Sequence, residues 1–123
     1  MVDKRVASGS RSSLEALVKG YVDAVTENGA AIERSDSKRA NREARRLARI
    51  KKKLDRKDEQ VRRSLLQLLD HPNPWVRSVA AFDCLEFAEL KAIETIKEIA
   101  QRPGLVGVGA EWYLRRRDKG LDR

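Results

Sequence analysis

Apolar residues return every three or four positions along most of this chain, and nowhere do they keep the two-residue rhythm of a strand, so the pattern predicts helices throughout. The first run, Leu14, Leu17, Val18, Tyr21, Val22 and Val25, follows Ser12 and Glu15 at capping-box spacing and closes at Asn28-Gly29. After a connection through Ile32, the triplet Ser35-Asp36-Ser37 offers caps for a second helix from about Lys38 to Leu54 or Arg56. Its apolar stripe is narrow: Ala40, Ala44, Leu47 and Leu54. Asp58 can cap a third helix carrying Val61, Leu65, Leu68 and Leu69, which Asp70-His71-Pro72-Asn73-Pro74 then breaks.

Asn73 stands as a cap and Pro74 as the first helical residue of a fourth helix, where a missing N–H costs nothing. In that helix, expected to reach Ala88, 10 of the 14 residues Trp75 to Ala88 are apolar and project all around the wheel, which predicts a central position. A fifth helix, with Ala92, Ile93, Ile96, Ile99 and Ala100 on one side, ends near Arg102-Pro103-Gly104. The sixth carries Leu105, Val106, Val108, Ala110, Trp112, Tyr113 and Leu114, and dissolves into Arg115-Arg116-Arg117-Asp118-Lys119-Gly120.

The apolar set Val61, Leu65, Leu68, Leu69 maps onto Ala92, Ile96, Ile99, Ala100 at an offset of 31, and Val76, Val79, Ala81, Leu85 onto Leu105, Val108, Ala110, Leu114 at an offset of 29. Such self-similarity is expected of stacked helical hairpins. The run His71-Pro72-Asn73-Pro74-Trp75-Val76-Arg77, followed by Ala80-Ala81 and Leu85, resembles the turn and second helix of a HEAT repeat. With Asp36, Ala40-Asn41 and the His-Pro turn, the region from the first helix to Gly120 is similar to a small bacterial domain-of-unknown-function family of HEAT-like superhelical fold. The resemblance implies an all-α, HEAT-like or ARM-like α-α superhelix of about six helices in three antiparallel pairs. It carries over no activity, since that family has none established.

At 123 residues, with 7 Gly and 3 Pro, the chain suits one helical domain, expected over residues 12–120 behind a flexible tail over 1–11. The lone Cys84 in an apolar stretch fits a buried thiol in a reducing compartment. No stretch of about 18 apolar residues and no N-terminal apolar run occurs, so the expectation is a cytoplasmic bacterial protein that does not enter a membrane.

Charge changes the picture most. Residues 38–57 hold 11 Lys or Arg against Glu43 and Asp55, a net of +9 in a chain whose total is +8. Arg39, Arg42, Arg46, Arg49, Lys53 and Arg56 step by three or four, predicting one continuous stripe that Lys38, Arg45 and Lys52 widen. A polyanion would relieve the repulsion within it, whereas a solvated outer face would simply tolerate it. No aromatic residue is interleaved, so stacking on single-stranded bases has no support here.

Chemistry is sparse elsewhere. His71 is the sole histidine and reads as a turn residue, and no catalytic set, metal-ligand set or cofactor motif is found. Trp75 and Trp112 are candidate anchors for a partner protein, Arg77 can point into or out of the helix stack, and Asp83 either pairs with an Arg or faces a groove. Gly107 and Gly109 weaken their helix and suggest close helix approach. The first expectation for function is a non-enzymatic macromolecular interaction module that binds or regulates a partner protein. The alternative is a nucleic-acid-binding protein using the basic helix. A HEAT-like DNA glycosylase, with Asp83 between the two tryptophans, stands third.

Overall fold

The computed structural model describes residues 11–120, which form six α-helices and one short 3₁₀ turn; among the described residues there is no strand. The tail expected over residues 1–11 lies, apart from Arg11, outside them. The chain divides into two compact units, Met1–Gln67 and Leu68–Arg123.

In the first unit, α1 (Arg11–Glu33) and α2 (Ser37–Lys53) pair through a three-residue turn. Asn28 of α1 donates from its amide to the Ala40 carbonyl at 2.8 Å, Glu27 pairs with Arg39, and a Cβ on Gly20 would stand 3.2 Å from the Ile50 Cδ1. These contacts run down one helix while running up the other, so the pair is antiparallel. Asp36 caps α2 by accepting from the Arg39 N–H at 3.1 Å, and Ser35 turns the corner with a positive φ of 57°. α3 (Glu59–Gln67) starts at Asp58, whose carboxylate accepts the Gln60 N–H at 2.8 Å. The core of this unit is Leu14, Tyr21, Ala24, Val25, Ala31, Leu54, Val61 and Leu65.

Two local expectations are corrected here. Helix α1 does not close at Asn28-Gly29 but runs on to Glu33, taking Ile32 with it. Gly29 is buried and the Asn28 side chain is engaged with α2, so pairing with a neighbouring helix overrides a local stop signal. Along α2, Ala44 is exposed and Ile50 joins Ala40, Leu47 and Leu54 on the inner side.

In the second unit the 3₁₀ turn Leu68–Asp70 leads to α4 (Pro74–Cys84), α5 (Glu89–Ala100) and α6 (Leu105–Asp118). Asn73 caps α4 by accepting from the Trp75 N–H at 2.8 Å, and Pro74 opens the helix. Helix α4 touches the 3₁₀ turn, α5 and α6, the central place its apolar wheel predicts. It stops at Cys84 rather than Ala88, because Leu85 to Phe87 form a turn that lets α5 fold back. The pairs Arg117–Glu89 and Gly107–Ile99 run in opposite directions, so α5 and α6 are antiparallel. Phe82 of α4 meets Tyr113 of α6 edge to face at 5.0 Å. Cys84 is buried as expected, as are Val76, Ala80, Ala81, Ala92, Ile96 and Ile99 of the same unit. Helix α6 does not dissolve at Arg115 but continues to Asp118, with Arg115, Arg116 and Arg117 in its last turn, where the helix dipole favours cations.

Candidate functional site

The basic helix divides into two classes of cation. Arg39 and Arg46 are half-buried and engaged by carboxylates, Arg39 with Glu27 and Arg46 with Glu43 at 3.2 Å. Lys38, Arg45, Arg49, Lys52 and Lys53 are exposed and form no ion pair, and exposed Arg42 reaches Glu43 only at 3.8 Å. The continuous stripe expected through Arg39, Arg46 and Arg56 is therefore corrected. α2 ends at Lys53, its cap Leu54 is extended, and half-buried Arg56 lies in the following turn, where its carbonyl accepts from the Arg62 guanidinium. The outward row is Lys38, Arg42, Arg45, Arg49, Lys52 and Lys53. From Arg42 to Lys53 it spans about 16 Å at 1.5 Å per residue.

Helix α6 presents the other unusual surface. Leu105, Val108 and Trp112 are 53%, 60% and 61% exposed, and their spacing of three and four residues puts them on one face. The Arg116 guanidinium lies over the Trp112 ring, 4.7 Å from its centroid. Gly109, where a Cβ would meet nothing within 4 Å, leaves that face bare beside the indole. Val106 and Ala110 are buried on the opposite side, and Tyr113 turns inward to Phe82. The sequence pattern hid this split, because a helix apolar on both sides reads as wholly buried. The separable spacings of Leu105/Val108/Trp112 and Val106/Ala110/Tyr113 are the signal that distinguishes them.

The remaining candidate residues are placed differently. Arg77 points into the unit and its side chain is only 12% exposed. It donates to both carboxylate oxygens of Glu98 at 3.2 and 3.1 Å and to the carbonyls of His71 and Pro72 at 2.8 and 3.2 Å. Arg77 thus straps the His-Pro turn to α5. His71 accepts the Asn73 N–H on Nδ1 at 3.0 Å, as a turn residue does. Asp83 and Trp75 are half-buried and both engaged within the protein. They stand on one helix about 12 Å apart along its axis, and Trp112 belongs to the exposed side of α6, so the two tryptophans do not flank Asp83. Among the described residues no three of His, Cys, Asp and Glu gather as metal ligands, and no helix is long and apolar enough to cross a membrane.

Comparison with known proteins places this arrangement among relatives. Residues 15–115 match the profile of a family described as a domain of unknown function, DUF2019. The crystal structure of the protein RPA1889 from Rhodopseudomonas palustris CGA009 superposes with a TM-score of 0.79 at 28% identity, covering 89% of this chain and 92% of that one. Among curated proteins none matches the chain.

Proposed function

The chain belongs to the DUF2019 family, a domain of unknown function, and on that premise we propose that it is a non-enzymatic interaction module whose α6 face docks an apolar segment of a partner protein. The observation that carries this reading is the grouping of Leu105, Val108 and Trp112 on one exposed helix face. Single exposed apolar residues are ordinary on protein surfaces, but an aligned set that includes a tryptophan is the composition of a binding anchor. Arg116 holds the indole and adds positive charge at one end of the stripe, while Arg115 beside it is already paired with Glu111, so the partner segment carries a carboxylate next to its apolar residues. The antiparallel pairing of α1 with α2, and of α5 with α6, supports a HEAT-like construction, in which consecutive helical hairpins leave faces free for partners. A cytoplasmic setting accords with the reduced, buried Cys84.

A photo-crosslinking residue at Val108, compared with one at exposed Lys97 of α5, tests the reading in cells. A discrete heterologous adduct is expected from position 108 and not from 97. Purified with that partner, the Trp112→Ala variant is expected to bind at least about tenfold more weakly, and the unmodified complex to persist at roughly 0.3 M salt. The same adducts from both positions, or full binding by Trp112→Ala, would sink the proposal. An adduct with a second copy of the chain would replace it by self-assembly.

A further inference from the structure

A second surface is independent of α6. We propose that the outward row of α2, Lys38, Arg42, Arg45, Arg49, Lys52 and Lys53, is a sequence-independent docking surface for the phosphate backbone of duplex nucleic acid. The cations of α2 differ in whether they are already neutralised. Those on the inner side, Arg39 and Arg46, have carboxylate partners in Glu27 and Glu43, whereas five of the six outward cations have none and the sixth has a loose one. Among the described residues, only the loose Arg42–Glu43 contact answers any of the outward charge.

The row is also regular and held in place. A helix advances about 4.5 to 6 Å over each three- or four-residue step, and α2 is fixed by the Asp36 cap, by Asn28 on the Ala40 carbonyl and by close packing of Ile50 against Gly20. Duplex DNA presents one negative charge per about 1.7 Å of its axis, a dense and uniform field, and its major groove is about as wide as a helix with its side chains. An acidic protein surface is a poorer match. Between the cations the outward side of α2 carries only Asn41, Ala44 and Ala48, so it has no large apolar residue to anchor a protein contact. A membrane surface fits less well too, because the larger apolar residues of α2, Leu47, Ile50 and Leu54, are turned into the fold rather than left to enter lipid. Without an aromatic residue on this face, single strands find no stacking platform.

The test is fluorescence anisotropy of the full chain with a labelled duplex of about 25 base pairs, alongside polyglutamate and vesicles containing phosphatidylserine, from about 50 to 300 mM salt. The expected result is preference for the duplex, with a slope of log K against log salt of about −4 to −5 for four to six neutralised phosphates. Arg45→Gln/Arg49→Gln/Lys52→Gln is expected to flatten that slope by roughly 2.7 and to weaken binding at least about tenfold near 50 mM salt. A control with the same change in net charge, Lys19→Gln/Lys91→Gln/Lys97→Gln, lies on exposed positions of α1 and α5 and is expected to leave the slope within about one unit of the parent. Equal losses in both triple variants would overturn the assignment to α2. Equal or tighter binding of polyglutamate or of the vesicles would overturn the choice of partner. Trp112→Ala is expected to bind the duplex as the parent does, which keeps this outcome separate from that of the α6 reading.

Discussion

Gly107→Ala is expected to destabilise the protein by about 3 kcal/mol, while Gly109→Ala, two residues along the same helix, is expected to stabilise it by about 0.5 to 1 kcal/mol. On the bare helix the two replacements are equivalent, since each removes the backbone freedom that makes glycine a poor helix residue. What separates them is the surroundings. A Cβ on Gly107 would stand 2.0 Å from the Arg102 carbonyl oxygen, in the connection between α5 and α6, and 3.2 Å from that of Ile99, in the last turn of α5. Neither can swing aside as a side-chain tip does, so α6 must lift off α5 and loosen Val106 and Ala110, which are buried beneath it. Gly109 faces open space, and only the propensity gain remains. Urea unfolding of both variants and the parent, with the m-value held common, measures the difference. A neutral Gly107→Ala would mean that α6 does not approach α5 as closely as the structure places it.

The same pair of glycines marks where the sequence was legible. From spacing alone both weaken a helix and hint at close approach, and only the partner across the contact tells which one makes it. Signals confined to a few neighbouring residues survived: Asp36, Asp58 and Asn73 cap the helices they precede, and Pro74 opens the fourth. Those that depend on a distant element did not. Asn28-Gly29 has the chemistry of a helix end, yet the Asn28 amide is taken up by the Ala40 carbonyl of α2 and α1 runs on to Glu33. The basic stripe was visible as a count of charges, but its division into neutralised and free cations depends on Glu27, twelve residues before Arg39. Trp112 was a candidate anchor from its residue type. Its companions Leu105 and Val108 were not, because apolar residues on both sides of α6 gave no hint which side the fold would cover.

Arg77 is the residue whose direction the sequence left open, and its replacement is expected to have the second large effect. Arg77→Met keeps much of the apolar stem and removes the guanidinium, at an expected cost of about 2 to 3 kcal/mol. The guanidinium forks onto both oxygens of Glu98 while a third nitrogen donates to the carbonyls of His71 and Pro72, so one group joins the turn before α4 to α5, 21 residues on. The magnitude falls below that of a fully buried ion pair because Glu98 is 50% exposed and retains Arg102 at 3.6 Å, so water and a second cation answer part of its charge. Arg77→Lys is expected to recover less than half of the loss, since an ammonium is a point donor and cannot serve a two-pronged carboxylate and two carbonyls at once. A double cycle with Glu98→Gln then divides the effect: coupling between the two side chains reports the ion pair, and the part of the Arg77→Met loss that persists when Glu98 is absent reports the bonds to the turn. Loss of all the effect in the Glu98→Gln background would reduce the His-Pro contacts to bystanders. Persistence of about half would make Arg77 the clasp of that turn, and would explain why its guanidinium is drawn inward while Arg115 and Arg117 of the same unit keep their ion pairs at the surface.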